Sequence, residues 1–337
     1  MTPSVIPNAP HVPVLLEEVL KALSLQAGER MIDGTFGYGG YSEAVLTRTE
    51  ASVLALDRDP RVQPRADELE ARFPERFAFV QTQFSKMEEA AHNHGWTTVD
   101  AIALDVGTSS MQLDQAGRGF SFMKTGPLDM RMADHGENAA DVVNTYDPKV
   151  LSRILAIYGE ERRAGAVARA IVRAREIKPL ETTTELADII SRALGGRRGK
   201  ALHPATRSFQ AIRIYINDEL GELARALEAA ERLLCPKGRL AIASFHSLED
   251  RIAKQFLAKR CGKMSTLSRH LPEAVDQPGP PFSLLTKRPQ RAGEEECAKN
   301  PRARSAILRS AQRTDSSPLP PEKPHSLSRE MFQEKWL

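Results

Sequence analysis

The stretch from Met31 to Asp59 constrains this chain more than any other. A short apolar run ends at Ile32 with Asp33 at its tip, and Gly34, Gly37, Gly39 and Gly40 follow at once. Glycines at that density let the backbone bend tightly and approach a ligand closely. Ser42 to Leu46 opens a helical pattern, so the N–H groups of its first turn face whatever the glycine turn holds. A second apolar run, Ser52 to Leu56, ends in Asp57, 24 residues after Asp33. Strand, glycine turn, helix and strand in this order make the first half of a parallel sheet, with a ligand crevice at the strand tips.

Two cofactor classes use such a turn. The dinucleotide version requires G-x-G-x-x-G and an acid about 20 positions further on. Here the acid precedes the glycines, in the arrangement Asp33-x-Thr35-x-Gly37-x-Gly39. That arrangement resembles the S-adenosylmethionine turn of Rossmann-like methyltransferases, which implies that Asp33 and Gly37 belong to the cofactor pocket. Asp57 is placed to accept hydrogen bonds from both ribose hydroxyls, a task suited to an ionised carboxylate, which only accepts.

Further strands are expected at 77–81, 99–105 and 238–245, with helices near 42–48, 60–73 and 86–93. The first four strands come at an even spacing, but the fifth waits until 238. The gap from 106 to roughly 208 is too long for a loop and holds helical patterns at 149–158, 161–175 and 183–194. It reads as an insertion. The expected division is a methyltransferase core in 1–108 and 209–313, an inserted substrate-recognition subdomain in 109–208, and a disordered tail of prolines and serines in 314–337. Phe209 to Leu234 reads as one long helix, and short strands are expected at 282–286 and 304–308.

A net charge of +3 conceals a division along the chain. Residues 1–150 carry 13 basic and 22 acidic side chains, net −9, whereas 151–215 carry 13 and 6, net +7, and 250–337 carry 17 and 10, again net +7. Charge segregated in this way points to a polyanionic partner on the later segments. Arg162, Arg163, Arg169, Arg173 and Arg175 line one helical pattern, and guanidinium groups form forked hydrogen bonds to phosphate oxygens. Gly195 to Lys200 adds a basic loop. No apolar run approaches the ~18 residues of a membrane span, and the first ten residues lack a secretory signal. Cys235, Cys261 and Cys297 are far apart, without the C-x-x-C spacing of a zinc site or a disulfide framework. A soluble protein of the reducing cytoplasm is expected, with no metal and no membrane partner.

Five blocks carry more chemistry than a core element requires. They are Ala103 to Asp114, Arg118 to Met132, His203 to Arg207, Ser244 to Arg251 and Asn300 to Ser305. In order and spacing they resemble the RsmH (MraW) family, bacterial methyltransferases acting on the exocyclic 4-amino group of a cytidine in the decoding region of small-subunit ribosomal RNA. The resemblance runs from about His11 to Arg313. It implies an α/β fold, a Rossmann-like S-adenosylmethionine-dependent methyltransferase core with an inserted helical subdomain. It also implies S-adenosyl-L-methionine as cofactor and 16S RNA of the small ribosomal subunit as partner; a homodimer is left open. Carried over, the family's cofactor contacts fall on Gly39, Gly40, Tyr41, Asp57, Phe84, Asp105 and Gln112. Tyr41 stands where the family usually has histidine, keeping an aromatic ring and a polar tip but no titratable imidazole. Thr108 stands where valine is usual.

Methyl transfer is an in-line displacement, so the site must chiefly align the reacting atoms. The cytosine amine is a poor nucleophile, and an acceptor bonded to one of its protons localises the lone pair and takes up the proton lost. Asp105 is the first candidate for that role, although a contact to the cofactor alone suits it equally. His246 is the second, since imidazole titrates near neutrality. Ser109 and Ser110 would shape the pocket. Phe120 and Phe122 suit either base stacking or a core. Arg131, Arg207 and Arg213 suit phosphates or the acids Asp129 and Asp218. The rival readings are a nicotinamide-dependent oxidoreductase and a non-catalytic RNA-binding assembly factor.

Overall fold

The computed structural model describes residues 13–196, 203–262 and 279–337. The expected extended start at His11 and Val12, residues 197–200 of the basic loop, residues 263–278 of the proline-rich linker and the side chain of Ser110 lie outside the described residues.

The strands are β1 (Arg30–Asp33), β2 (Ser52–Asp57), β3 (Phe77–Gln81), β4 (Val99–Asp105), β5 (Leu234–Ser244), β6 (Phe282–Leu284), β7 (Gln290–Arg291) and β8 (Ile307–Arg313). They form one sheet in the order β3-β2-β1-β4-β5-β8-β6, with β7 beside β8. β1 to β5 run parallel, and β8 lies antiparallel between β5 and β6. A dinucleotide-binding sheet instead has the order 3-2-1-4-5-6. The reversed strand set beside β5 is therefore a departure from that topology.

Helices cover both faces. They are α1 (Leu16–Leu23), α2 (Gly40–Arg48), α3 (Gln63–Arg72), α4 (Met87–Asn93), α5 (Ser110–Asp114), α6 (Ala139–Thr145), α7 (Pro148–Gly159), α8 (Ala164–Arg175), α9 (Thr183–Ala193), α10 (Thr206–Asn217), α11 (Glu219–Leu233), α12 (Ser247–Arg260), α13 (Glu294–Lys299) and α14 (Arg329–Trp336). Alternate residues of each strand feed opposite cores. Ile32, Leu54, Ile102 and Leu240 pack with α4, α11 and α12 on one face, while Met31, Val53, Ala101 and Ala241 pack with α1, α2 and α3 on the other. Strands buried on both sides need near-continuous apolar runs, and these have them. Between β4 and β5, helices start where the sequence supplies caps. Asp147 precedes Pro148 at the start of α7, and Thr182 with Glu185 forms a capping box for α9.

Four expectations require correction. The long helix at 209–234 is two helices, broken at Asp218, whose φ of 47° is left-handed. Aspartate tolerates that conformation, and here its carboxylate accepts the Arg329 N–H at 2.6 Å and pairs with Arg225. Apolar periodicity runs almost unbroken through both helices, so the sequence pattern hides the break. The fifth strand begins at Leu234, four residues before the expected start, with a register shift opposite Val99 and Ala101. The last strand spans Ile307–Arg313, because Pro301–Ser305 ahead of it forms a 3₁₀ turn. Finally, the tail expected to be disordered carries α14, whose Phe332 is buried against Tyr158 and Tyr215. Few apolar residues suffice there because they land on an aromatic cluster built by other helices.

Candidate active site

The site lies at the C-terminal ends of β1, β2 and β4. Asp33 is buried, its Oδ2 accepting the Ser42 hydroxyl at 2.7 Å and its Oδ1 the Thr35 N–H at 3.3 Å. It thereby fastens the strand tip to the first turn of α2, and burial pushes its carboxyl up to about 6. Gly37 has a φ of +53°, and a Cβ there would meet nothing nearer than the Thr35 carbonyl at 3.9 Å. That face is open to a ligand. Its N–H donates to Asp57 Oδ2 at 2.8 Å, while Asp57 Oδ1 accepts the Asp59 N–H at 2.9 Å. Each oxygen of Asp57 keeps a second acceptor position. Gly39, at φ +74°, is the left-handed N-cap of α2, and Gly40 begins the helix.

Tyr41 is buried, and its hydroxyl donates to the Val14 carbonyl at 2.6 Å. The side chain is thus committed to the segment ahead of α1, leaving backbone groups as what this position offers a ligand. Phe84 follows β3 at the start of a 3₁₀ turn, and its Cβ lies 3.4 Å from where a Cβ on Gly34 would be. It therefore borders the glycine turn.

Asp105 ends β4, and its N–H donates to the Thr35 hydroxyl at 2.6 Å. Its Oδ1 is buried without a hydrogen-bond partner among the described residues. Burial, with the neighbouring carboxylates of Asp33 and Glu249, pushes this carboxyl up to about 8. Gln112, in contrast, is fully engaged at its amide oxygen. It forms the capping box of α5 with Ser109, and its Nε2 donates to Asp59 Oδ2 at 3.2 Å. Asp59 also pairs with Arg118 at 2.6 Å, both groups being buried, and Arg118 Nη2 donates to the carbonyls of Arg131 and Met132. Asp59 and Arg118 thus tie the loop after β2 to the chain that follows α5. Sequence reasoning passed over both, since only tertiary contact reveals them.

A second wall stands beside Asp105. Arg213 grips both oxygens of Glu219, at 2.7 and 2.8 Å, and its Nη1 donates to Thr108 at 2.6 Å. Glu219, not Asp218, is its acid. His246 caps α12, its Nδ1 accepting the Glu249 N–H at 3.5 Å. Glu249 Oε2 accepts the N–H groups of Phe245 and His246. Glu249 Oε1 lies 3.0 Å from His246 Nε2, an ion pair when the imidazole is protonated. Ligand atoms of Glu219, His246 and Glu249 lie within 4.8 Å of one another, close enough for a metal ion. The fork of Arg213 already occupies Glu219, however, and Nδ1 as acceptor leaves the proton on Nε2.

Other candidates divide clearly. Phe120 is buried beneath the Arg118 guanidinium, and Phe122 packs on His203 and Phe209 at 4.6 and 4.8 Å. Arg131 pairs with Asp129, and Arg207 donates to the Glu160 carbonyl. Of the α8 group, Arg175 is taken up by the carbonyls of Val143 and Tyr146. Arg162, Arg163, Arg169 and Arg173 are exposed.

A family model described as the MraW methylase family matches residues 8–314. The chain belongs to the MraW methylase family. The "Ribosomal RNA small subunit methyltransferase H" of Maricaulis maris is 53% identical over 309 residues, covering 91% of this chain and 92% of that protein. The protein of the same name from Caulobacter vibrioides is 54% identical over 308 residues, covering 91% and 97%. Among solved structures, N-methyltransferase NodS from Bradyrhizobium japonicum WM9 aligns with a TM-score of 0.40 at 9% identity, covering 89% of this chain and 94% of that one. As a MraW methylase the protein is an enzyme, and S-adenosylmethionine is its methyl donor.

The residues present fit that donor. Gly37 leaves an open face, and Asp57 retains two acceptor positions. No helix among the described residues is long and apolar enough to cross a membrane.

Proposed function

We propose that this MraW methylase transfers a methyl group to the exocyclic N4 amine of a cytidine in the decoding region of small-subunit ribosomal RNA, acting in the cytoplasm. When bound, S-adenosylmethionine supplies an electrophilic methyl group on a sulfonium. The chain's residues then divide the work. Gly37 leaves an open face, Gly39 caps α2, Gly40 and Tyr41 present N–H groups of its first turn, Asp33 holds the turn rigid through Ser42 and Thr35, Asp57 takes the ribose, and Phe84 and Gln112 border the pocket.

The observation that carries the reading is the unsatisfied, buried Oδ1 of Asp105 at the tip of β4. A lone acceptor in a desolvated crevice demands a donor, and an aromatic amine provides one. The hydrogen bond localises the nitrogen lone pair, and the carboxylate takes the amine proton as the N–C bond forms. His246, whose Nε2 lies 3.0 Å from Glu249 Oε1, is the second candidate, for passing that proton onward. The inserted helices, with the exposed arginines of α8, present the RNA.

The test is incubation of unmodified small subunits with enzyme and a labelled methyl donor, beside titrations with S-adenosylhomocysteine and reduced nicotinamide cofactor. Label in RNA and binding of S-adenosylhomocysteine alone are expected. Label confined to protein would reject the substrate, and preference for the nicotinamide would reject the cofactor pocket as read.

A further inference from the structure

The motif Asn300-Pro301-Arg302-Ala303-Arg304-Ser305 takes no part in the pocket just described, yet the topology carries it to the rim. β8 runs antiparallel to β5, so Ile307 at its start pairs with Ser244 at the end of β5. On the other side of β8, Arg291 of β7 pairs with the same Ile307. Arg291, Ile307 and Ser244 therefore form one row at the sheet edge that also bears Asp105 and His246.

Between Arg291 and Ile307 the chain leaves the sheet at this edge, forms α13 and the 3₁₀ turn, and returns. Two contacts anchor the excursion across the crevice. The Glu296 carboxylate accepts the Leu15 N–H at 2.8 Å, next to the Val14 carbonyl that receives the Tyr41 hydroxyl. Arg302 Nη2 donates to Asp114 Oδ1 at 2.9 Å, at the end of the helix carrying Gln112. The excursion of α13 and the 3₁₀ turn thus links the segment ahead of α1 to the helix after β4.

Charge gives this bridge a partner. Several arginines elsewhere are matched to acids: Arg118 to Asp59, Arg239 to Glu29, Arg309 to Asp250, Arg251 to Glu160. Of the nearest acids, Glu295 is paired with Lys299, Glu296 is used on Leu15, and Glu294 is exposed with no side-chain partner among the described residues. Arg304, three residues ahead of Ile307, and Arg291 are both exposed, and neither guanidinium makes a hydrogen bond or ion pair among the described residues. Two unmatched guanidiniums at the mouth of a methyl-transfer crevice suit phosphate oxygens, which they can grip in a fork.

We infer that Arg291 and Arg304 form a phosphate-gripping edge that holds the RNA backbone flanking the target nucleotide, a contact point separate in sequence from α8. The inference rests on the reading of the substrate as RNA. Arg302, through Asp114, positions the segment and makes no claim on the substrate.

The test compares Arg291→Glu and Arg304→Glu, singly and together, with Lys323→Glu as an exposed control on the tail. Each is measured for binding of unmodified small subunits across a salt series, for steady-state methylation, and for S-adenosylhomocysteine affinity. The double variant is expected to bind subunits about tenfold more weakly at 0.1 M salt, with a salt slope shallower by about 0.7–0.9 per lost contact. KM for subunits should rise with kcat within about twofold of the parent, and S-adenosylhomocysteine affinity should not change. Parent-like subunit binding in the double variant overturns the inference. So does an equal loss in Lys323→Glu, which would mark bulk charge, or a loss of S-adenosylhomocysteine affinity, which would mark a structural role. If the parent itself fails to bind or methylate subunits, the functional reading fails and the inference falls with it.

Discussion

Asp105 is where burial and chemistry meet most sharply. Its carboxyl is pushed from 3.8 to about 8, so in the ligand-free enzyme at neutral pH it is largely protonated. An acid raised in the folded state stabilises the fold fully below its unfolded pKa, and that contribution is lost as pH rises through the folded value. Asp105→Asn should therefore match the parent's melting temperature near pH 4 and exceed it by a few degrees at pH 9. Melting curves across that range check the sign. In catalysis the acceptor must be ionised, so kcat/KM of the parent should climb with pH towards a plateau above about 8. The Asn variant should lose about 10²–10⁴-fold in kcat while keeping S-adenosylhomocysteine affinity. Normal turnover in that variant would remove Asp105 from the acceptor role. Arg118 makes a different kind of claim. Its removal leaves buried Asp59 only the half-exposed Arg61, 3.4 Å from its Oδ1, as a cation, so Arg118→Ala should cost about 3 kcal/mol in urea unfolding; a loss under about 1 kcal/mol would mean that Arg61 and water compensate Asp59. The positions of Asp33 and Asp57 at strand tips and of Gly37 in the turn between them were legible in the sequence, because a glycine turn between apolar runs has few uses. Asp59, Arg118, Glu219 and Glu249 were not, because each acts through partners distant in the chain.

At the scale of elements, the strands of the parallel sheet read true from their apolar runs, and β1 to β4 fall at the expected residues. Breaks and returns did not. The left-handed Asp218 interrupts an unbroken periodicity, and it holds because the tail donates a backbone N–H to its carboxylate. That tail illustrates why composition alone misjudges short segments. Leu319 N–H bonds Glu231, Glu322 pairs with Arg260 and Lys259, and Trp336 lies 4.3 Å from the Arg153 guanidinium. The segment 314–337 thus straps α11 and α12 to the helices that precede β5. Phe332→Ala should destabilise the protein by about 3 kcal/mol, in the range for emptying a buried aromatic site. Because the cofactor turn is built from β1, β2 and α2, S-adenosylhomocysteine affinity should survive that change. A parallel loss of ligand affinity and stability would instead place the strap in the cofactor site.

For the whole molecule, charge divides along the chain, the first 150 residues being acidic and 151–215 and 250–337 basic, and on the proposed reading the acidic part carries the cofactor turn while the basic parts meet the RNA. Fold class and family were open to sequence because several motifs keep their order across the length of the chain, whereas the basic residues that meet RNA become distinguishable only when their partners are known. Arg175 and Arg213 are occupied by the protein, while the side chains of Arg162, Arg169 and Arg304 have no partner among the described residues. The account rests on a desolvated acceptor at the end of β4 receiving a cytosine amine. Nucleoside mapping of small-subunit RNA, after reaction of unmodified subunits with this enzyme and isotopically labelled S-adenosylmethionine, tests that most directly. The label should appear as N4-methylated cytidine in the decoding region and vanish with Asp105→Asn. Label on a ring carbon, on a ribose hydroxyl or at another base would contradict it.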